Sequence, residues 1–311
     1  FDSIYKNCKI FKLEQNYRST KNILETASAL ISHNNGRVEK KLWSSAQQGE
    51  KVKLNCYQNG REEAEAISGI AENKLKNKYS LNNVAILVRA IYQTREFEER
   101  FLKVGLGYRV LGGTKFYERS EVKDAVAYLR IINQKYDDLA LERVIGNPRR
   151  GIGESTLNQL YVFGSQNKLC LEDSIKKNLE ANNLKPKMKI GLGQLTKMID
   201  KWRLDSKTNK HYDLLKIVLD ESGYSAMLKN KKDLENENRL ENIKELLRAM
   251  HDYDNLQSFL EHVALATSID KEWEGEKINL MTMHAAKGLE FDVVFLPGWE
   301  EGLFPHQKSI E

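Results

Sequence analysis

Residues 278–296 read INLMTMHAAKGLEFDVVFL, and this stretch decides the fold. Its two apolar runs, Ile278–Met281 and Val293–Leu296, predict short buried strands. The connection between them carries threonine, histidine, lysine, glycine and glutamate side chains. In a parallel α/β sheet, polar groups at the carboxyl ends of the strands line the ligand crevice. The stretch therefore favours a ligand site, and an ordinary solvated loop is the alternative.

Residues 61–111, in the first half of the chain, alternate predicted helices with predicted strands. The apolar run Val84–Val88 predicts a buried strand, and Tyr108–Leu111 predicts another. Helical spacing of apolar residues predicts helices over 61–76 and 94–104. This order of elements is typical of a parallel α/β fold.

From about Lys115 to Trp273 the pattern changes to helices with almost no strand. Apolar stripes at helical spacing are centred on Val122–Ile132, Leu214–Leu219 and Leu240–Met250. We therefore expect one α/β domain interrupted by a mostly α-helical insertion. The expected boundaries are 1–114 for the first part of the α/β domain, 115–275 for the insertion and 276–311 for the remainder.

Composition narrows the class of protein without deciding it. The chain has 311 residues, is 41% hydrophobic and 30% charged, and carries 49 basic against 44 acidic residues. A net charge of +5 permits a polyanionic partner without demanding one.

The three cysteines, Cys8, Cys56 and Cys170, have no CxxC spacing, so we expect no disulfide framework, no metal site and a reducing, cytoplasmic location. No apolar run approaches the length of a membrane span, so no membrane partner is expected. The first residue is Phe1, and we expect a fragment of a longer protein.

Near the start, a predicted strand over Lys9–Leu13 runs through Glu14–Thr20 into a helix with Leu24 on its apolar face. Ser19 or Thr20 is the expected N-cap. Tyr17 and Arg18 would then lie beside a helix N-terminus, which favours anions. An arginine fork suits phosphate oxygens and a tyrosine ring suits a base, although a surface arginine beside a half-buried tyrosine explains the pair more simply.

Within the insertion, residues 147–156 read NPRRGIGEST and connect two predicted helices. The glycines permit close backbone approach, the amides at the start of the second helix can bind phosphate, and Arg149 and Arg150 add positive charge. This combination can hold a nucleic-acid backbone without regard to sequence. A tight turn between helices whose arginines face water explains the same residues equally well.

Several of these segments resemble the UvrD/Rep/PcrA family of superfamily 1 DNA helicases. Leu13–Thr20 resembles motif IV of that family, Thr282–Phe291 resembles motif V, and Asn147–Gly153 resembles the turn that contacts duplex DNA. Similar segments in the same order are Val110–Gly113, Phe116–Arg119, Val122–Arg130 and Glu300–Pro305. The resemblance spans nearly the whole chain and implies a RecA-like, P-loop NTPase-like parallel-sheet domain interrupted by a 2B-like helical insertion.

The resemblance also implies a role for each matching residue. Arg18 would be an arginine finger on the γ-phosphate of ATP, and Tyr17 would stack on the adenine. Gly288 and Glu290 would approach the nucleotide. The residues implied to contact single-stranded DNA are Thr282, Met283 and His284, and those implied at the duplex backbone are Gly151, Ile152, Gly153 and Thr156. Arg149 is a further expected DNA contact because of its charge beside this turn. Lys287 would either meet DNA phosphate or brace its loop.

Some departures from the family pattern limit these expectations. The sequence contains no Gly-x-x-x-x-Gly-Lys-Ser/Thr, and the acidic pair that would hold magnesium is absent. It ends before motif VI, and Arg89-Ala90-Ile91 stands where the family has Arg-Thr/Ser-Asn. ATP and Mg²⁺ would therefore be held mainly by another motor domain, and we expect this polypeptide alone neither to bind ATP tightly nor to hydrolyse it.

The expected function is part of an ATP-dependent helicase that translocates 3′ to 5′ and acts in DNA repair or replication restart. The expected partners are single-stranded DNA, duplex or fork DNA, the N-terminal motor domain of the same protein, and repair or replication proteins. The alternatives are a non-enzymatic module that binds duplex DNA or protein, and a nuclease-linked motor resembling the RecB or AddA enzymes.

Overall fold

A computed structural model of the chain describes residues 11–34, 40–75, 78–230, 234–268 and 274–304. The chain divides into two compact units, Phe1–Asn59 and Gly60–Glu311. The sequence did not predict a division at Asn59, and the domain boundaries near 114 and 275 stay a prediction.

The first unit contains helix α1 (Lys21–Ile31), as predicted. The strand predicted over Lys9–Leu13 is wrong where it can be assessed, because Phe11–Leu13 is irregular and Lys9 and Ile10 lie outside the described residues. Phe11 and Leu13 are 85% and 83% exposed, and they pair with no neighbouring strand in the described part of the unit. An extended segment without a partner leaves its backbone hydrogen bonds to water and does not form a strand. The nearest pairing is an isolated parallel bridge between Gln15 and Trp43.

The second unit is built on a four-stranded, all-parallel sheet. Its strands are β1 (Val84–Val88), β2 (Tyr108–Leu111), β3 (Ile278–Thr282) and β4 (Val293–Phe295), in the order β2-β3-β1-β4. All four strands were predicted. The continuous apolar runs of β1 and β3 are typical of parallel strands that are covered on both faces, and both strands are largely buried.

Helices α2 (Gly60–Ile70) and α3 (Thr94–Val104) pack together beside this sheet, and a π-type turn over Ala71–Leu75 continues α2. The sheet's hydrophobic core includes Phe97 and Phe101 from successive turns of α3, together with Ile86 and Leu280 from the two central strands. The apolar side chains of α3 thus face the sheet, as in a helix that covers a parallel sheet.

Nine α-helices occupy the described residues between β2 and β3, which confirms the helical character of this stretch. They are α4 (Ser120–Asn133), α5 (Asp138–Gly146), α6 (Glu154–Asn167), α7 (Leu171–Glu180), α8 (Pro186–Asp205), α9 (His211–Glu221), α10 (Tyr224–Lys229), α11 (Leu234–Met250) and α12 (Leu256–Ser268). These helices, which we call the helical block, surround their own hydrophobic core. Its largest fully buried side chains are Trp202, Tyr128 and Tyr224. The Tyr128 ring lies between the other two and makes an edge contact with each of them.

A buried cluster of charged groups ties the helical block to α3. Arg119, just before α4, donates to Glu98 at 3.1 Å, to the Thr94 hydroxyl at 2.7 Å and to Asn242 of α11 at 2.6 Å. Arg95 of α3 donates to Glu245 of α11 at 2.8 Å. These charges are almost fully buried, and breaking such a pair from one side is costly because the remaining charge is left without a partner.

We predict that Arg119→Ala lowers the free energy of unfolding by about 3–5 kcal/mol, because Glu98 would stay buried without its cation. Urea unfolding followed by far-UV circular dichroism measures this change. The matched control is Lys216→Ala, which removes an exposed ion pair with Asp213 and should cost less than about 1 kcal/mol. Equal effects of the two substitutions would show that the buried cluster does not hold the block in place.

Candidate nucleotide and nucleic-acid interface

The predicted ligand connection leaves the sheet where the carboxyl ends of three strands meet. The last residue of β3, Thr282, is paired with the last residue of β1, Val88, and Leu111 at the end of β2 is paired with Met281. The Met283 amide extends this edge by donating to the Val88 carbonyl at 2.9 Å. The connection therefore begins at the crevice edge of a parallel sheet, where such folds bind ligands.

Tight turns bring the connection out to the surface. The Thr282 hydroxyl accepts from the Ala285 amide at 3.3 Å, so this side chain stabilises the first turn. Gly288 has φ +89°, a left-handed conformation that glycine adopts without strain. His284 and Glu290 are exposed, whereas Thr282 and Met283 are half-buried. The connection thus presents an imidazole near its start and a carboxylate near its end.

Gly112 allows a neighbouring segment to approach this connection. It follows β2 with φ +76°, and a Cβ built on it would lie 3.1 Å from the Ala285 Cβ. A larger residue at position 112 would push against the first turn of the connection. The sequence showed that glycines follow β2 but could not show what they approach.

The segment after β4 contacts α2 and the residues that follow β1, and the sequence did not predict these contacts. The Gly298 amide donates to Glu63 of α2 at 3.3 Å, and a Cβ on Gly298 would lie 2.4 Å from the Gln93 side chain. Burial raises the pKa of Glu63, the Gly298 amide opposes that shift, and nearby Glu300 adds to it. A long-range contact of this kind leaves no local signal in the sequence.

In the first unit, Tyr17 and Arg18 lie on an exposed turn. The Asn16 side chain accepts from the backbone amides of Arg18 at 3.1 Å and Ser19 at 2.9 Å, a local turn typical of asparagine. Tyr17 donates to Gln15 at 2.7 Å, and Tyr17 is 81% exposed rather than half-buried. The turn therefore presents a flat ring and a guanidinium to solvent, side by side.

The start of α1 is organised differently from the prediction. Thr20 occupies the N-cap position, but its hydroxyl caps no amide. The amides of Lys21 and Asn22 donate instead to the carbonyls of Gln47 at 3.2 Å and Gln48 at 3.1 Å. These two amides are thus already engaged by backbone carbonyls of the same unit.

The third group of predicted residues lies on the turn between α5 and α6. Gly151 has φ +75°, and Gly153 is the N-cap of α6 with an ordinary φ of −96°. Ile152 packs against the core of the helical block. Thr156 is buried, and its hydroxyl lies 3.4 Å from the Met188 sulfur, which gives this side chain a packing contact. Its DNA contact stays a prediction.

The two arginines of this turn have different environments. Arg149 is exposed. Arg150 points inward, where it donates to the carbonyls of Val144 and Pro148 and to the Tyr128 hydroxyl. Arg150 therefore binds the last carbonyls of α5 and braces the turn, so Arg149 is the arginine of this turn whose side chain faces solvent.

The predicted residues therefore form three groups, on the α1 turn, the β3–β4 connection and the α5–α6 turn. Among the residues that the structure describes, no cluster of three or more histidine, cysteine, aspartate or glutamate side chains is arranged to hold a metal ion. In the same ranges, we find no helix with the length and apolar character needed to cross a membrane.

An all-parallel sheet with a polar connection at its carboxyl edge and a helical insertion between neighbouring strands is the architecture of a RecA-like domain. The sequence model of the UvrD-like helicase C-terminal domain matches residues 11–311, and the chain belongs to this family. The family and the fold class predicted from the sequence are thereby confirmed.

Curated relatives agree with this assignment. All of the chain is 42% identical to a probable DNA helicase II homolog of Rickettsia felis, covering 48% of that protein. All of it is 37% identical to the ATP-dependent DNA helicase PcrA of Bacillus subtilis, covering 44% of it. DNA helicase II of Escherichia coli is 36% identical over 99% of the chain, which covers 44% of that relative. The chain spans about half the length of these relatives.

The geometry of the α5–α6 turn predicts different outcomes for its two glycines. Gly151→Ala should lower the free energy of unfolding by about 1–2 kcal/mol, because alanine is strained at positive φ. Gly153→Ala should cost less, about 0.5 kcal/mol, since the backbone is ordinary there and a Cβ would meet nothing within 4 Å, so that only the poorer N-cap preference of alanine counts. Urea unfolding of both variants tests the difference, and equal effects would contradict the left-handed conformation at Gly151.

Proposed function

We propose that this chain is the part of an ATP-dependent DNA helicase that senses the nucleotide and grips DNA, in a motor that translocates 3′ to 5′ during DNA repair or replication restart. The observation that carries the proposal is the β3–β4 connection, which leaves the carboxyl edge of a parallel sheet and exposes His284 and Glu290. Membership of the helicase family and the names of the relatives support it.

The residues on the α1 turn fit a nucleotide. A guanidinium suits the charge on a γ-phosphate, and a flat exposed ring suits a base; both are presented here by Arg18 and Tyr17. ATP with Mg²⁺ supplies the phosphoryl group that is transferred to water. Arg18 then stabilises charge on the phosphate oxygens, which is the usual contribution of an arginine finger. Mg²⁺ and most of the ATP are held by a second motor domain.

The β3–β4 connection couples the two ligands. Thr282, Met283 and His284 contact single-stranded DNA, while Gly288 and Glu290 approach the nucleotide. The DNA-contacting residues and the nucleotide-contacting residues lie on the same series of turns. The Thr282 hydroxyl stabilises the first of these turns. A shift at the nucleotide end is therefore transmitted to the DNA end through a few peptide units, and this is how closure of the motor domains changes the grip on the strand.

The α5–α6 turn holds duplex DNA ahead of the fork. Arg149 is exposed, and glycines stand on either side of Ile152. Contacts to the phosphate backbone position a protein on DNA without reading its sequence, as unwinding requires. The partners of the protein are single-stranded and fork DNA, the second motor domain, and repair or replication proteins. These contacts take place in the cytoplasm.

In the longer protein that contains this chain, Arg18→Ala should lower ATP turnover by about a thousandfold or more, the scale of a lost arginine finger. Affinity for single-stranded DNA should stay unchanged. The control is Lys21→Ala, which removes another exposed cation one helical turn away and should leave turnover intact. A small effect of Arg18→Ala on DNA-stimulated turnover would remove Arg18 from catalysis.

The isolated chain should bind DNA without hydrolysing ATP, because its sequence has no Gly-x-x-x-x-Gly-Lys-Ser/Thr to cradle the phosphates. Fluorescence anisotropy with single-stranded, duplex and junction DNA over a salt series measures the binding, and phosphate contacts appear as a salt slope. Robust DNA-stimulated ATPase activity of the isolated chain would contradict the proposal that a second motor domain is needed to hold and hydrolyse ATP. Binding of duplex alone would favour a non-enzymatic interaction module.

A further inference from the structure

The start of α8 lies directly against the α5–α6 turn. The Lys187 side chain passes Gly151, where an added Cβ would lie 3.3 Å from the lysine Cε and 3.9 Å from Nζ. The next residue, Met188, meets the Thr156 hydroxyl at 3.4 Å. One turn further on, a Cβ built on Gly191 would lie 3.1 Å from the Arg150 carbonyl oxygen. These contacts fix the position of the α8 backbone, and therefore the position of Lys187, relative to the turn.

The turn that Lys187 approaches has backbone donors available. In the described residues, the amides of Gly151, Ile152 and Gly153 donate to no backbone carbonyl or side chain. Three successive amides without acceptors around a left-handed glycine can converge on an anion. Because Gly151 has no side chain, the Lys187 ammonium can reach the same space.

Charge at the turn also points to α8. Lys185, Lys187 and Lys189 fall within five residues, and the first turn of α8 has no acidic residue. The first turn of α6, by contrast, carries the exposed carboxylate of Glu154, which repels an anion. Lys187 is exposed and pairs with no carboxylate among the described residues, whereas Lys189 donates to Asn182 at 2.8 Å. Lys187 is therefore the cation of α8 best placed to serve the turn.

We propose that Lys187 is a further contact to the duplex backbone, so that the phosphate-binding surface consists of the Gly151 turn together with the start of α8. This proposal rests on the proposed function of the turn. Lys187 and Arg149 supply the positive charge that offsets Glu154, and the amides of residues 151–153 supply directed hydrogen bonds. A lysine acts on phosphate as a point charge, so the contact is independent of base sequence.

The test compares Lys187→Ala with Lys189→Ala by fluorescence anisotropy, using the whole chain and a labelled duplex hairpin over a salt series. Lys187→Ala should weaken duplex binding about fivefold at physiological salt and reduce the salt slope by about 1, the effect of one lost phosphate contact. Affinity for single-stranded DNA should not change. Lys187→Arg should restore the slope, and Lys189→Ala should leave it at the wild-type value.

A third variant separates this proposal from the function on which it rests. If Arg149→Ala weakens duplex binding while Lys187→Ala behaves like Lys189→Ala, then α8 lies outside the interface and only the present proposal fails. If neither variant changes duplex affinity or its salt slope, the turn does not bind duplex and the proposed function of the turn fails as well. Far-UV circular dichroism of each variant confirms that the helical block is folded.

Discussion

The structure of the second unit depends on the pairing of β3 between two strands that precede the helical block. β3 lies between β2 and β1, although all nine described helices of the block intervene in sequence between β2 and β3. A fully buried asparagine fixes this arrangement. The Asn279 amide donates to the carbonyls of Asn82 at 2.7 Å and Val84 at 2.9 Å, and its oxygen accepts from Arg109 of β2 at 2.6 Å. A polar group this deep is stable only with its partners in place, so Asn279 selects one register.

This register of β3 sets the position of the β3–β4 connection at the carboxyl edge of the sheet. A shift of β3 by one residue would turn its buried side chains to the opposite face and would move Thr282 away from Val88. The turns from Thr282 to Gly288 are local, but their position at the crevice is set by a strand pairing that spans the helical block. The insertion is compatible with this pairing because it has a hydrophobic core of its own and is tied back to α3 through Arg119 and Arg95.

The α5–α6 turn of the helical block places a half-buried, hydrogen-bonded arginine next to an exposed one. Arg150 and the Tyr128 hydroxyl occupy the carbonyls around the end of α5, while Arg149, its immediate neighbour, is left in solvent. Gly191 lets α8 approach closely enough to bring Lys187 to Gly151. The backbone beneath these exposed side chains is thus held in place by buried neighbours, as a preorganised binding surface requires.

The sequence by itself determined the class of fold, all four strands, most helices and the family, because continuous apolar runs, helical periodicity and short motifs are local properties of the chain. It also indicated Arg18, His284, Glu290 and Arg149 as candidate ligand contacts, and all four residues are exposed. Only the tertiary structure decided that Arg150 points inward, that Thr156 is buried, that the first amides of α1 are engaged by Gln47 and Gln48, and that Phe11–Leu13 forms no strand. These outcomes depend on partners that the local pattern does not specify: the Tyr128 hydroxyl for Arg150, Met188 for Thr156, and Gln47 and Gln48 for α1, while Phe11–Leu13 has no partner strand among the described residues.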